Sequence, residues 1–165
     1  MAKSNSAELA ILLAAIDRAF DHKSWHGINL KGAIRGLTAE DASWRPAQGR
    51  HNIWELVVHA AYWKYVVIRR LLSEKRGSFP ITGSNWFVRP SNDASSEGAW
   101  RADVRLLTDM HKTLKQAVEG VSAKDLNRIP PGVKTSNLDL IGGIAAHDLY
   151  HAGQIQLLKR LRPQA

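Results

Sequence analysis

Four stretches of this chain repeat their apolar residues every three or four positions, and none alternates them every second position. That spacing places the apolar side chains on one face of a helix and gives a sheet nothing to bury. In the first stretch, about residues 6–21, Leu9, Leu12, Leu13, Ile16 and Phe20 share a face. In the second, to about residue 73, Ile53, Leu56, Val57, Ala60, Trp63, Val67 and Leu71 do so. Trp100, Val104, Leu107, His111, Leu114 and Val118 form a seam in the third. Leu140, Ile144, Ile155 and Leu158 form one in the fourth. Four long amphipathic helices in one chain predict an all-α fold, a four-helix bundle.

Local signals bound these helices. Asn52 followed by Glu55 is a capping box that opens the second. Ser95 or Ser96 opens the third, and Ser136 with Asp139 three residues on caps the fourth, which runs to about residue 161 before Pro163 ends it. Trp25-His26-Gly27 breaks the chain after the first helix, and a short helical piece is expected near residues 30–36. Gly36 and Pro46 bracket a turn-rich connection, Ser122 to Asp125 starts a minor turn, and Pro130-Pro131-Gly132 breaks the chain again. Residues 76–96 hold Gly77, Pro80, Gly83, Pro90 and a Ser/Asn/Asp cluster without periodicity. Ordered connections of that length tend to be crossovers or functional covers. No repeat or linker divides the 165 residues, which are read as a single domain, 1–165, large enough to bury a core.

The chain has no cysteine. That excludes a disulfide framework, a zinc finger and a protein-borne thiol nucleophile, and it fits a cytoplasmic protein. No apolar run is long enough to cross a bilayer, and residues 1–6 lack the apolar core of a signal peptide. The formal charge of +8 raises nucleic-acid binding as a class. The basic residues, however, spread along the chain and gather at helix ends, as in Arg69-Arg70 with Lys75-Arg76 and Lys159-Arg160 with Arg162. There they complement the helix dipole. Neither a nucleic-acid partner nor a membrane is expected.

His147 and His151 lie one turn apart on the core-facing side of the fourth helix, since Leu140, Ile144, Ile155 and Leu158 share that stripe. His59 borders the buried stripe of the second, within one turn of Leu56 and Trp63. Three imidazoles from two helices can thus converge inside the bundle. Histidines on apolar faces are often hydrogen-bonded core residues, and the pattern alone leaves that reading open. Three unpaired imidazoles would carry an uncompensated desolvation cost, which one metal ion removes. His147-Asp148-Leu149-Tyr150-His151 also looks like a metalloprotease HExxH motif with Asp for Glu. Its shorter carboxylate and the lack of strands to present a substrate edge argue against that activity. His111 reads as a core histidine, His51 as a turn residue or a lining of the site's mouth, and His22 and His26 as surface or turn residues. Trp54, Trp63 and Trp100 read as core. Trp25, Trp44 and Trp86 fall in turns or loops, where they plug the bundle end or line a pocket.

Three stretches carry a family resemblance: Trp25 to Leu30, then His51-Asn-Ile-Trp-Glu-Leu-Val-Val-His59-Ala-Ala-Tyr-Trp-Lys64, and His147-Asp-Leu-Tyr-His151-Ala-Gly-Gln-Ile155. With them the chain resembles the DinB-like (DinB/YfiT-like) superfamily of metalloenzymes. The last stretch is the most specific, two histidines four apart followed by Gly-Gln-Ile. No matched position departs from the metal triad. The resemblance implies a four-helix bundle with a crossover, for which the 76–96 connection is the candidate. It implies a facial metal site on His59, His147 and His151 with open coordination positions, and often a homodimer. Some relatives are thiol transferases that use low-molecular-weight thiols such as bacillithiol or mycothiol, and others are isomerases.

Three neutral imidazoles with vacant positions suit Zn, Ni or Fe as divalent ions better than Mg or Ca. Such an ion lowers the pKa of bound water towards ~7 or deprotonates a coordinated thiol. The expected function is that of a metal-dependent transferase or hydrolase acting on a small-molecule substrate, with a low-molecular-weight-thiol S-transferase slightly ahead by family analogy. The alternative is a non-catalytic metal- or ligand-binding protein. A general base near the triad would separate the two. The sequence names none, since Asp148 lies off the ligand face and the amide of Gln154 does not titrate.

Overall fold

The computed structural model of the chain describes residues 7–77, 79–89 and 96–163. It is helical throughout: α1 Ala7–Phe20, α2 Leu30–Ile34, α3 Ala39–Ser43, α4 Ile53–Leu71, α5 Ser96–Glu119 and α6 Asn137–Leu161, with a 3-10 turn at Ala123–Asp125 before α6. Among the described residues the only pairing of β type is an isolated bridge between Ser84 and Trp86. The expected helix start at Ser6, the N-terminal residues 1–6, Pro90 and the Ser/Asn/Asp cluster at 91–95 lie outside the described residues.

The capping signals act as their chemistry dictates. The Asn52 side chain accepts from Glu55 N at 2.8 Å and Glu55 returns a bond to Asn52 N, and Ser136 Oγ accepts from Asp139 N at 3.1 Å. The connection between Gly36 and Pro46 is not merely turns. Thr38 and Asp41 form a complete capping box there and start α3.

Two apolar clusters fill the interior. One takes residues 53–61 of α4, 100–107 of α5 and 152–158 of α6, with Phe20 and Leu30. The other takes 67–71 of α4, 114–118 of α5 and 140–145 of α6, with Leu9 and Ile16 of α1. The first halves of α4 and α5 therefore share one end and their second halves the other, so these two helices run in the same direction while α6 runs opposite. α4 and α5 pack directly on each other. Joining parallel neighbours requires a connection that returns along their length, and the segment between them does this: Tyr65 Oη accepts from Gly77 N, and Phe79 and Phe87 pack into the first cluster. The 76–96 connection is thus the crossover. α6 closes the arrangement against α1, α2 and α4. Between the clusters lies a polar layer at mid-height, with Lys64, His111, Asp148 and His151 all buried.

α4 is buried nearly all round rather than along one stripe. Trp54, Val58, Ala61 and Lys64 are inside as well as the expected face.

Candidate metal centre

The end of the polar layer nearest the first cluster holds the three histidines. His59 projects from α4, and His147 and His151 from successive turns of α6, which packs antiparallel to it. His147 Nε2 lies 3.2 Å from His59 Nε2 and 3.0 Å from His151 Nε2. His59 and His151 are 6% and 3% exposed, and His147 is half-buried. All three ligand atoms fall within 4.8 Å of one another.

The second nitrogens of two rings are committed. His59 Nδ1 donates to the Asn85 carbonyl at 2.8 Å, and His151 Nδ1 donates to Gln154 Oε1 at 2.7 Å. Each acceptor fixes its ring as the Nδ1–H tautomer and turns an Nε2 lone pair inward. A single Nε2–H on His147 can satisfy only one of those lone pairs. Two nitrogens bound at ordinary Zn–N distances with tetrahedral geometry stand about 3.3 Å apart, close to the separations found here. The donor set therefore fits one divalent transition-metal ion; outer partners hold the rings of His59 and His151, while His147 Nδ1 is buried without one.

Electrostatics agree. Burial pushes the His59 imidazole down to about 4, and the neighbouring rings of His151 and His51 push the same way. Burial, then His151, His59 and Lys64, take His147 to about 3, and burial also lowers His151. The rings stay neutral at neutral pH, the state that ligates.

The loop of the crossover completes the site. Asn85 sits at φ 62°, a left-handed conformation that Asn tolerates, and its Oδ1 accepts from Trp63 Nε1 at 2.9 Å. Its carbonyl is thereby held on His59. Trp86 stacks flat on His59 at 3.9 Å and on His51 at 3.5 Å, lying between them. Of the two roles the sequence left open for Trp86, plugging the bundle end or lining a pocket, the structure has the second; Asn85 went unread, since its bond to His59 is made by a backbone carbonyl.

His51, read from sequence as a turn residue or a lining of the mouth, lines the mouth. Its Nδ1 is 3.0 Å from Glu55 Oε2. Burial raises the Glu55 carboxyl, but Arg45, His51 and Asn52 N outweigh it and hold it below its ordinary range. An ionised carboxylate only accepts, so His51 carries its proton on Nδ1 and offers Nε2 as a base. The result is a carboxylate-held imidazole at the cavity mouth, on the far side of Trp86 from His59.

Gln154 serves by fixing His151, as an amide can. Asp148 points away from the ligands and pairs with Lys64, which leaves no carboxylate for protease chemistry. His111 is buried and stacks on Phe20 at 3.8 Å. It groups with Asp17 and Asp21, but Lys115 at 2.8 Å from Asp17 and Lys31 at 3.7 Å from Asp21 already meet those charges. His22 and His26 are exposed. Trp54 and Trp100 are core, Trp63 is partly buried, and Trp25 is 98% exposed, so it does not plug the bundle end but borders a surface cavity between α1 and α6. No described helix is long and apolar enough to cross a membrane.

The three imidazoles face a cavity of about 650 Å³ shared by His51, Trp86 and the last turns of α6. A family model described as the DinB superfamily matches residues 25–155 of the chain. Searches of curated proteins and of solved structures return no match.

Proposed function

Because the chain belongs to the DinB superfamily, we propose that it is a metal-dependent transferase or hydrolase, with transfer to or from a low-molecular-weight thiol as the leading form. The observation that carries this reading is the convergence of three neutral Nε2 atoms, 3.0 and 3.2 Å apart, on a face that opens to a cavity. When bound, a Zn, Ni or Fe ion there would supply Lewis acidity, lowering the pKa of a ligated thiol or water.

The chain's own residues supply the rest. His59, His147 and His151 hold the ion, and Asn85 and Gln154 hold the rings of His59 and His151. Trp86 excludes water from one face of His59. His51 stands across Trp86 from His59, so its Nε2 would take a proton from a substrate that reaches round the indole edge into the cavity mouth, and Glu55 keeps that imidazole in the right tautomer. The protonated ring can then return the proton to the leaving group. A protein with no cysteine must take its thiol from a second substrate, and the cavity gives it room.

Cobalt-substituted protein tests the proposal. A bacterial low-molecular-weight thiol that enters as thiolate adds an intense charge-transfer band, and a soft electrophile such as a haloaromatic is then consumed only with metal and thiol both present. If no such thiol changes the cobalt spectrum between pH 6 and 9, the transferase form falls.

A further inference from the structure

The charge pattern of the cavity specifies what kind of molecule it accepts. Its walls are mostly carbon, from Leu56 and Trp86 on one side and Leu157, Leu158 and Leu161 of α6 on the other. Leu157 and Leu161 are 57% and 56% exposed, although α6 buries Ile155 and Leu158 in the same turns. Folding leaves these two leucines at the mouth uncovered, and apolar surface gathered around a concave site is surface for a ligand.

Besides His51 Nε2 and the Tyr150 hydroxyl, the polar groups that remain are donors, and the one fixed charge is positive. Gln154 has committed its oxygen to His151, so its amide N–H groups are what it has left. Arg50 stands at the rim, exposed, and among the described residues its guanidinium meets no carboxylate. No Asp or Glu lines the cavity. The nearby carboxylate of Glu55 is occupied by Arg45 and His51, at 2.5 and 3.0 Å. A cationic ligand would find no counter-charge here. A neutral apolar one would leave the guanidinium unused.

We propose that the cavity binds an apolar carboxylate, with its ring or chain between Trp86 and the α6 leucines and its carboxylate on Arg50. The inference rests on the metal-site reading only in that the ion would add to the same positive field. The carbon walls and Arg50 are independent of it. A guanidinium–carboxylate pair beside a low-dielectric wall is a strong, directional contact, and it orients the apolar body over the histidines.

The test compares 1-naphthoate with its neutral isostere 1-naphthalenemethanol by calorimetry. It uses the full chain loaded with zinc, the same chain stripped by chelator, and Arg50→Gln, whose fold is checked by its melting curve. Naphthoate is expected to bind wild type at least ten-fold tighter than the alcohol. Arg50→Gln should weaken naphthoate by about ten-fold and leave the alcohol unchanged. Equal binding of acid and alcohol, binding of neither, or naphthoate affinity that depends on zinc but not on Arg50 would each overturn the proposal. Protein that retains no zinc yet keeps Arg50-dependent naphthoate binding would remove the metal reading and leave this one standing.

Discussion

Lys64 and Asp148 form an ion pair inside the protein, Lys64 wholly buried and Asp148 1% exposed. The ammonium also lies 5.0 Å from the Phe20 ring centroid. Burial pushes the Lys64 ammonium down and the Asp148 carboxyl up, and each partner resists the shift of the other. The pair ties α4 to α6 one residue beyond His147 and five beyond His59. It therefore sets the register in which the three imidazoles meet.

Removing one partner should cost far more than removing both. Asp148→Ala leaves a buried, unpaired ammonium and should destabilise the protein by about 3–5 kcal/mol, whereas Lys64→Met with Asp148→Leu should be near neutral or stabilising. Urea denaturation of the three proteins measures this. A double variant as unstable as the single one would show that packing, not charge, is at stake.

The histidines make metal-free protein sensitive to acid, and the sign follows from their shifts. Folded His59 and His147 titrate at about 4 and about 3, against an unfolded value near ~6.5. His111, also lowered to about 3 by burial and then by Lys64, adds to them. Below ~6.5 the unfolded chain binds more protons than the folded one, so stability is full above that pH and falls towards pH 4. Chelated protein should lose stability steadily between pH 7 and pH 5 in urea melts. A flat profile would show that the rings are solvated.

His51 should matter for proton transfer and not for the ion. His51→Gln should keep its metal and its melting temperature but slow metal-dependent thiol transfer by about 10²-fold. Added imidazole should restore part of the rate in His51→Ala. Loss of metal in either variant would make His51 a ligand or a support of one, contrary to this account.

Chelation should lower the melting temperature without abolishing the fold. The two apolar clusters include none of the three histidines, and a ligand that binds only the folded state adds to stability by mass action. Circular dichroism should show a helical, cooperative transition after chelation. Helix loss on chelation would place the site with structural zinc centres instead.

The parts of this protein written in local rules were legible in its sequence. His147 and His151 are one helical turn apart beside buried leucines and isoleucines, and Asn52 with Glu55 caps α4, because spacing and capping are properties of short segments. The Thr38–Asp41 box that starts α3 carried the same signal and was passed over for the glycine and proline around it. Lys64 and Asp148 were not legible as interior residues, since charged side chains face water unless a partner elsewhere in the chain meets them. Asn85 and Trp86 reach the site through the conformation of a loop, which no periodicity records.

The central claim is that His59, His147 and His151 hold one ion, and elemental analysis of tag-free protein tests it most directly. About one transition-metal ion per chain is predicted for wild type, little in His59→Ala, and none in His147→Ala/His151→Ala, with all three proteins folded by circular dichroism. Full metal content in the folded double variant would contradict the account.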